Sequence, residues 1–114
     1  MGIPNATHKA ASDAIAGLGR YISLHTSTGA GTTGANEATS GGYARQQTTW
    51  TSGSTGTNSG SEVNIPCAAG TYTEGGIFSA STSGTFVGSS AFDGGSVVVS
   101  GTGASIDVTP RVVA

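Results

Sequence analysis

From Gly19 to Gly103 no more than ten residues separate one glycine from the next. That spacing limits what the chain can build, because a glycine inside a helix costs about 1 kcal/mol relative to alanine. Between the glycines, Val, Ile, Phe, Tyr and Thr gather in short runs, the composition of strands joined by tight turns. Gly, Ser and Thr together make up nearly half of the 114 residues, and charged residues only 9%. Disorder normally combines low hydrophobicity with high net charge. Here the net charge is −2 and the mean hydropathy is close to zero, so an ordered all-β chain is expected.

The length corresponds to one ordinary domain with a modest core, read as residues 1–114. Asn5 to Leu18 is the one helical segment: Ala10, Ala11, Ala14, Ile15 and Leu18 form a stripe of period 3.6. Asn5 or Thr7 is expected to cap its start, and Gly17 or Gly19 to end it in the left-handed conformation. Residues 20–113 are expected to form an antiparallel β-sandwich, jelly-roll-like. Its first strand is Tyr21 to His25, half-buried, with Ile22 and Leu24 on one face. A loop from Ser27 to Gly42 leads to a strand from Tyr43 to Trp50. Further strands are placed at Glu62 to Pro66, Tyr72 to Ala80, Thr85 to Phe92, Ser96 to Ser100 and Ala104 to Val113. Ser52 to Ser61 reads as a mobile loop, and Ser81 to Thr85 and Asp93 to Gly95 as turns.

Several function classes lose support at this level. The four basic residues, Lys9, Arg20, Arg45 and Arg111, are scattered, so no footprint for nucleic acid exists. No apolar run approaches the ~20 residues of a membrane span, and the N-terminus lacks the apolar region of a secretory signal. Cys67 is alone, so it reads as a buried small hydrophobe. "GAGTTG", Gly29 to Gly34, has the dinucleotide-loop spacing, but "ANEATSGGY" follows where a helix should open. His8 and His25 lack an acidic ligand pattern, and no serine lies in a nucleophile elbow. The carboxylates Glu37, Glu62, Glu74, Asp93 and Asp107 are dispersed, so glycoside hydrolysis has no paired acids. The expectation is a non-enzymatic protein without metal or cofactor. Trp50, Tyr43, Tyr72 and Phe78 remain as a candidate sugar-stacking platform.

"YISLHT" followed by "GANEATSGGYARQ" resembles small virion proteins of tailed bacteriophages, particularly those infecting actinobacteria. Their members are labelled tail fibre, minor tail or head decoration proteins. The resemblance is carried by Leu24, His25, Thr26, Gly34, Ala35, Asn36, Glu37, Tyr43, Ala44, Arg45, Gln46 and Trp50. Gly76, Ile77, Phe78, Ser79, Thr85 and Phe86 match a later hairpin. It implies a structural part of the virion, made in the host cytoplasm.

Within this segment His25, Asn36, Glu37, Tyr43, Arg45 and Trp50 are expected to staple the loop. Asn36 suits left-handed geometry, and Glu37 can accept from Arg45 or from backbone N–H groups. An exposed Glu37–Arg45 pair would contribute only ~0–1 kcal/mol. Without repeats, heptads or a second domain, head decoration is the first expectation, as a homotrimer on the major capsid protein. The alternative is a minor tail or tail-fibre protein that contacts tail proteins or a host surface glycan.

Overall fold

The computed structural model describes residues 2–114 and is mainly β, with antiparallel sheets and one short helix. The architecture is organised around β1 (Tyr21–His25). It pairs with β2 (Gln46–Gln47) on one side and β7 (Glu74–Phe78) on the other, and β8 (Phe86–Ala91) closes the sheet in the order β2-β1-β7-β8. A three-stranded sheet runs β11-β4-β3, built from β3 (Trp50–Ser52), β4 (Thr57–Gly60) and β11 (Arg111–Val113). Two strand pairs complete it: β5 (Val63–Pro66) with β10 (Ser105–Val108), and β6 (Gly70–Tyr72) with β9 (Val97–Val99).

The core explains why these sheets stack in a sandwich-like way. Ile22 and Leu24 of β1 pack with Val63 and Ile65 of β5, Cys67, Tyr72 of β6 and Ile106 of β10. Short β-branched runs can bury area only by facing another sheet, so the alternation of each strand dictates the layering. Cys67 is fully buried, as its apolar neighbours implied. β1 differs from the half-buried strand expected. Its residues from Ile22 to His25 are all buried, because Ser23 and His25 bond to each other on the second face.

The helix α1 (Asn5–Ala16) departs from expectation in length, caps and orientation. It stops at Ala16, not Leu18, and Pro4 is its N-cap in place of Asn5 or Thr7. The N–H groups of Thr7 and His8 donate to the Pro4 carbonyl. Gly17 stays right-handed at φ −69°, and Gly19 is not left-handed either. The face turned to the sheet is small and partly polar: Ser12 and Ala16 are buried, whereas Ile15 and Leu18 are 36% and 63% exposed.

Hydrogen bonds account for that orientation. Asn58 on β4 donates to Ser12 Oγ at 2.8 Å and to Asp13 Oδ1 at 2.9 Å. Ser12 Oγ donates to the Val112 carbonyl, Lys9 Nζ donates to Asp13 Oδ2 and to Ser52 Oγ at 2.7 Å each, and Ser52 donates to Asp13. The ammonium of Lys9, then the Ser52 hydroxyl and the Asn58 amide, hold the Asp13 carboxyl well below the usual carboxylate range. The apolar stripe is mostly alanine, which offers little area to bury, so specific bonds decide the face. Asn58→Ala is expected to cost about 2 kcal/mol and to undock α1 first. Urea denaturation with amide exchange along α1 measures both.

The polar segment Ser52 to Ser61 is not a mobile loop. Thr57–Gly60 is the central strand of its sheet, flanked by β11 and β3, and the connection shrinks to a turn closed by Gly53 N–H on the Thr57 carbonyl. Asn58 is buried there because its amide is used by α1. Tyr43 to Trp50 is not one strand but two short pieces, with Tyr43–Arg45 left outside the ladder. Thr73 divides the expected strand Tyr72 to Ala80. Pro110 lacks an N–H donor, and the expected strand Ala104 to Val113 breaks at Thr109–Pro110.

Candidate functional site

His25 ends β1 opposite Glu74 of β7, and from it the chain leaves on an eleven-residue excursion that returns at Glu37. Backbone bonds close its neck: Thr26 N–H donates to the Asn36 carbonyl and Ala38 N–H to the Leu24 carbonyl. Asn36 has φ 59°, the left-handed geometry that asparagine tolerates, and its Nδ2 donates to the Gly29 carbonyl at 2.9 Å. Inside the loop, Ala30 is fully buried and its N–H donates to Glu74 Oε1 at 2.9 Å. Glu74 also accepts from Ser89 Oγ, and these two donors, Ala30 first, lower its pKa. Gly29 suits the position beside it because φ is 84°, which strains any residue with a Cβ, and a Cβ there would also displace the Glu74 carboxylate, 2.4–2.6 Å away.

His25 is fully buried with both ring nitrogens engaged. Nδ1 lies 2.8 Å from the Ala35 carbonyl, which can only accept, so Nδ1 carries a hydrogen. Nε2 lies 2.7 Å from Ser23 Oγ. This Ser–His contact has the composition of a hydrolytic pair but no room for a substrate. Ser23 is fully buried, and even a Cβ on Gly76 would lie 2.5 Å from Ser23 Oγ and 2.6 Å from His25 Nε2. The contact therefore orients the loop and does not expose a nucleophile.

Glu37, Tyr43 and Arg45 meet next to it. Arg45 grips Glu37 bidentately, Nε to Oε2 at 2.7 Å and Nη2 to Oε1 at 2.8 Å, and Tyr43 Oη donates to Oε2 at 2.6 Å. Tyr43 Oη in turn accepts the Leu24 N–H. Arg45 Nη1 reaches the carbonyls of Ala80 and Ser83 at 2.9 and 2.8 Å. The guanidinium carbon sits 3.5 Å from the centroid of the Phe78 ring, a cation–π contact. Phe78 lies parallel to His25 at 6.1 Å and tilted to Phe86 at 5.3 Å.

The electrostatics differ from those of a surface pair. The Arg45 side chain is only 8% exposed and that of Glu37 22%, so the pair is largely shielded from water, where the sequence implied exposure. Burial pushes the Glu37 carboxyl up, but the bonds from Arg45 and Tyr43 outweigh it and the net shift is downward. Burial, reinforced by Glu37, raises the Tyr43 phenol far above its ordinary range, and Glu37 raises Arg45.

Five of the six residues singled out in the sequence thus belong to one cluster, and Trp50 does not. Trp50 Nε1 donates to the Gly19 carbonyl at 2.9 Å, and the ring lines a separate cleft near the end of α1. The four-aromatic platform does not form: Tyr72 and Phe78 are buried, and the Tyr43 hydroxyl is taken by Glu37. Sequence reasoning missed Ala30, Glu74, Ala80 and Ser83 as partners of the cluster. Only the "SGT" turn signal before Phe86 hinted that backbone carbonyls would face Arg45. Among the described residues no group of His, Cys, Asp and Glu could hold a metal.

The sequence model of a family described as podophage GP4 fiber I protein gp80 matches residues 6–111. The chain belongs to that family. No curated protein and no solved structure matches it. As a gp80-type fibre protein the chain is a phage virion structural protein. The matched span contains α1 from its second residue, every residue of the His25–Arg45 cluster and the Trp50 cleft. Among the described residues no helix is long and apolar enough to cross a membrane.

Proposed function

We propose that the chain is a non-enzymatic fibre component of the tail region of a phage particle, working through shape and association. The observation that carries this reading is the fibre-family match over residues 6–111. It favours the tail alternative over head decoration. The geometry supports it in a second way: the most distinctive side chains are consumed by internal bonds. Arg45 makes four hydrogen bonds, both His25 nitrogens are engaged, and Ser23 is inaccessible. Such a cluster pins the loop from Thr26 to Asn36 against β7 rather than supplying a reactive group.

Association with further copies, as a homotrimer, and with neighbouring tail proteins is part of the same proposal. Ile3, Leu18, Val98 and Val113 offer apolar area at the surface. Contacts between linked copies then add as effectively intramolecular ones. Quantitative mass spectrometry of purified particles, with immunogold labelling, tests the placement. A low copy number with label at the tail is the expected result. Hundreds of copies with label over the head would restore head decoration on the major capsid protein.

A further inference from the structure

We propose that the cleft between the C-terminal end of α1 and β3 binds a saccharide, with the pyranose stacked on Trp50 and its hydroxyl or carboxylate groups held by Arg20 and Thr49. This deepens the tail-fibre reading and rests on it for its biological setting, but its chemistry stands on the cleft alone. The cleft measures about 620 Å³ and is lined by Ala16, Leu18, Arg20, Thr49 and Trp50, among others. That volume suits a small ligand.

The lining divides into groups already committed and groups left over. Asp13 and Ser52 satisfy each other and Lys9, and Thr48 Oγ1 donates to the Ser61 carbonyl. Arg20 is exposed, and among the described residues its guanidinium makes no ion pair or side-chain hydrogen bond. Thr49 is exposed with its hydroxyl likewise unused among the described residues; its backbone is tied to Ser61, the N–H donating to Ser61 Oγ and the carbonyl accepting from the Ser61 N–H. The Ala16 carbonyl, in the last turn of α1, receives no backbone donor from the residues that follow.

The half-buried Trp50 ring, packed against the core and lining the cleft beside the Arg20 guanidinium, the Thr49 hydroxyl and the acceptor carbonyl of Ala16, complements a pyranose ring. The ring's C–H face is apolar and lies flat on an indole, while its edge presents hydroxyls that both donate and accept. Trp50 is held for this by its own Nε1 bond to Gly19, so little side-chain freedom is lost on binding. A phosphate-rich ligand would need several cations, whereas among the described residues Arg20 is the only basic one lining the cleft. A single unpaired guanidinium, in a cleft whose one carboxylate, Asp13, is already bonded to Lys9, Ser52 and Asn58, favours sugars that carry one carboxylate.

Because Trp50 is the only tryptophan in the chain, its emission reports directly on the cleft. The full-length protein is titrated with glucose, N-acetylglucosamine and glucuronate, with acetate and glycerol as controls. A saturable emission change is expected with the pyranoses and not with the controls, and glucuronate should bind about fivefold tighter than glucose, the worth of one partly exposed ion pair. Arg20→Ala should remove that preference while leaving the melting temperature unchanged, since Arg20 is exposed and unpaired. Thr49→Ala should weaken all three sugars. No saturable change with any pyranose, or an undiminished glucuronate preference in Arg20→Ala, overturns the proposal. A silent Trp50 in a protein found on tails would sink the saccharide site and leave the fibre reading standing. A saturable response in a protein found on heads would do the reverse.

Discussion

Glu37→Ala is expected to cost about 2–3 kcal/mol of folding stability and to open the loop from Thr26 to Asn36, while β1, β7 and β8 stay paired. The magnitude follows from what remains. Arg45 is 8% exposed, so removing Glu37 strands a shielded guanidinium that keeps only the Ala80 and Ser83 carbonyls and the face of Phe78. Tyr43 loses its acceptor as well. A fully buried pair broken on one side would cost more, about 3–5 kcal/mol, but Glu37 keeps 22% exposure and water can enter. The loss is local because β1 is held by its ladder with β7, in which none of these side chains takes part. Urea denaturation gives the stability, and limited proteolysis reports the loop. Unchanged cleavage between Thr26 and Asn36 would contradict the role of the cluster as a staple.

The same pair predicts an acid response with a definite sign. The folded-state pKa of Glu37 lies below its ordinary value, because Arg45 and Tyr43 favour the carboxylate more than burial disfavours it. Its contribution is therefore complete above the unfolded value, about 4.3, and is lost as pH falls through the folded one. The gap in stability between the natural protein and Glu37→Gln should be widest at neutral pH and narrow below about pH 4.

How much of this was legible in the sequence depended on separation along the chain. Glu37, Tyr43 and Arg45 lie within nine residues, and Asn36 announces a left-handed turn by its chemistry, so their meeting could be anticipated. The partners that shield them could not. Phe78, Ala80 and Ser83 arrive from β7 and its following turn, and Glu74 reaches back 44 residues to Ala30. Only the β1–β7 register brings these together, and that register depends on packing across the whole core. The helix was misread for a related reason: a periodic alanine stripe marks a face, but Asn58, 45 residues away, selects another through hydrogen bonds. Thr57–Gly60 reads as a loop because its side chains are polar and small: β3 pairs with it locally across a turn, but β11, which makes it a central strand, arrives from the far end of the chain.

Gly41→Ala and Gly42→Ala form the second test, since the two neighbours share a backbone conformation and differ in surroundings. Their φ angles are 74° and 75°, so alanine at either position carries the left-handed penalty of about 1–2 kcal/mol. At Gly42 nothing lies within 4 Å of an added Cβ, and the penalty is the whole effect. At Gly41 the Cβ would fall 2.3 Å from Ala68 N and 2.4 Å from Ala68 Cα, which are backbone atoms. Ala68 cannot yield easily, because its carbonyl accepts from buried Tyr72 at 2.6 Å and the preceding Cys67 N–H is bonded to Ala104. The chain at Gly41 must therefore move, taking Tyr43, two residues on, away from Glu37. Gly41→Ala is expected to cost at least about 3 kcal/mol, roughly twice Gly42→Ala or more. It should also let the Tyr43 phenol titrate nearer the ordinary value of about 10. Equal destabilisation by the two substitutions in urea would show that the segment does not rest on Ala68, and an unmoved phenol would show that the loop is held to Glu37 by something other than its seat on the core.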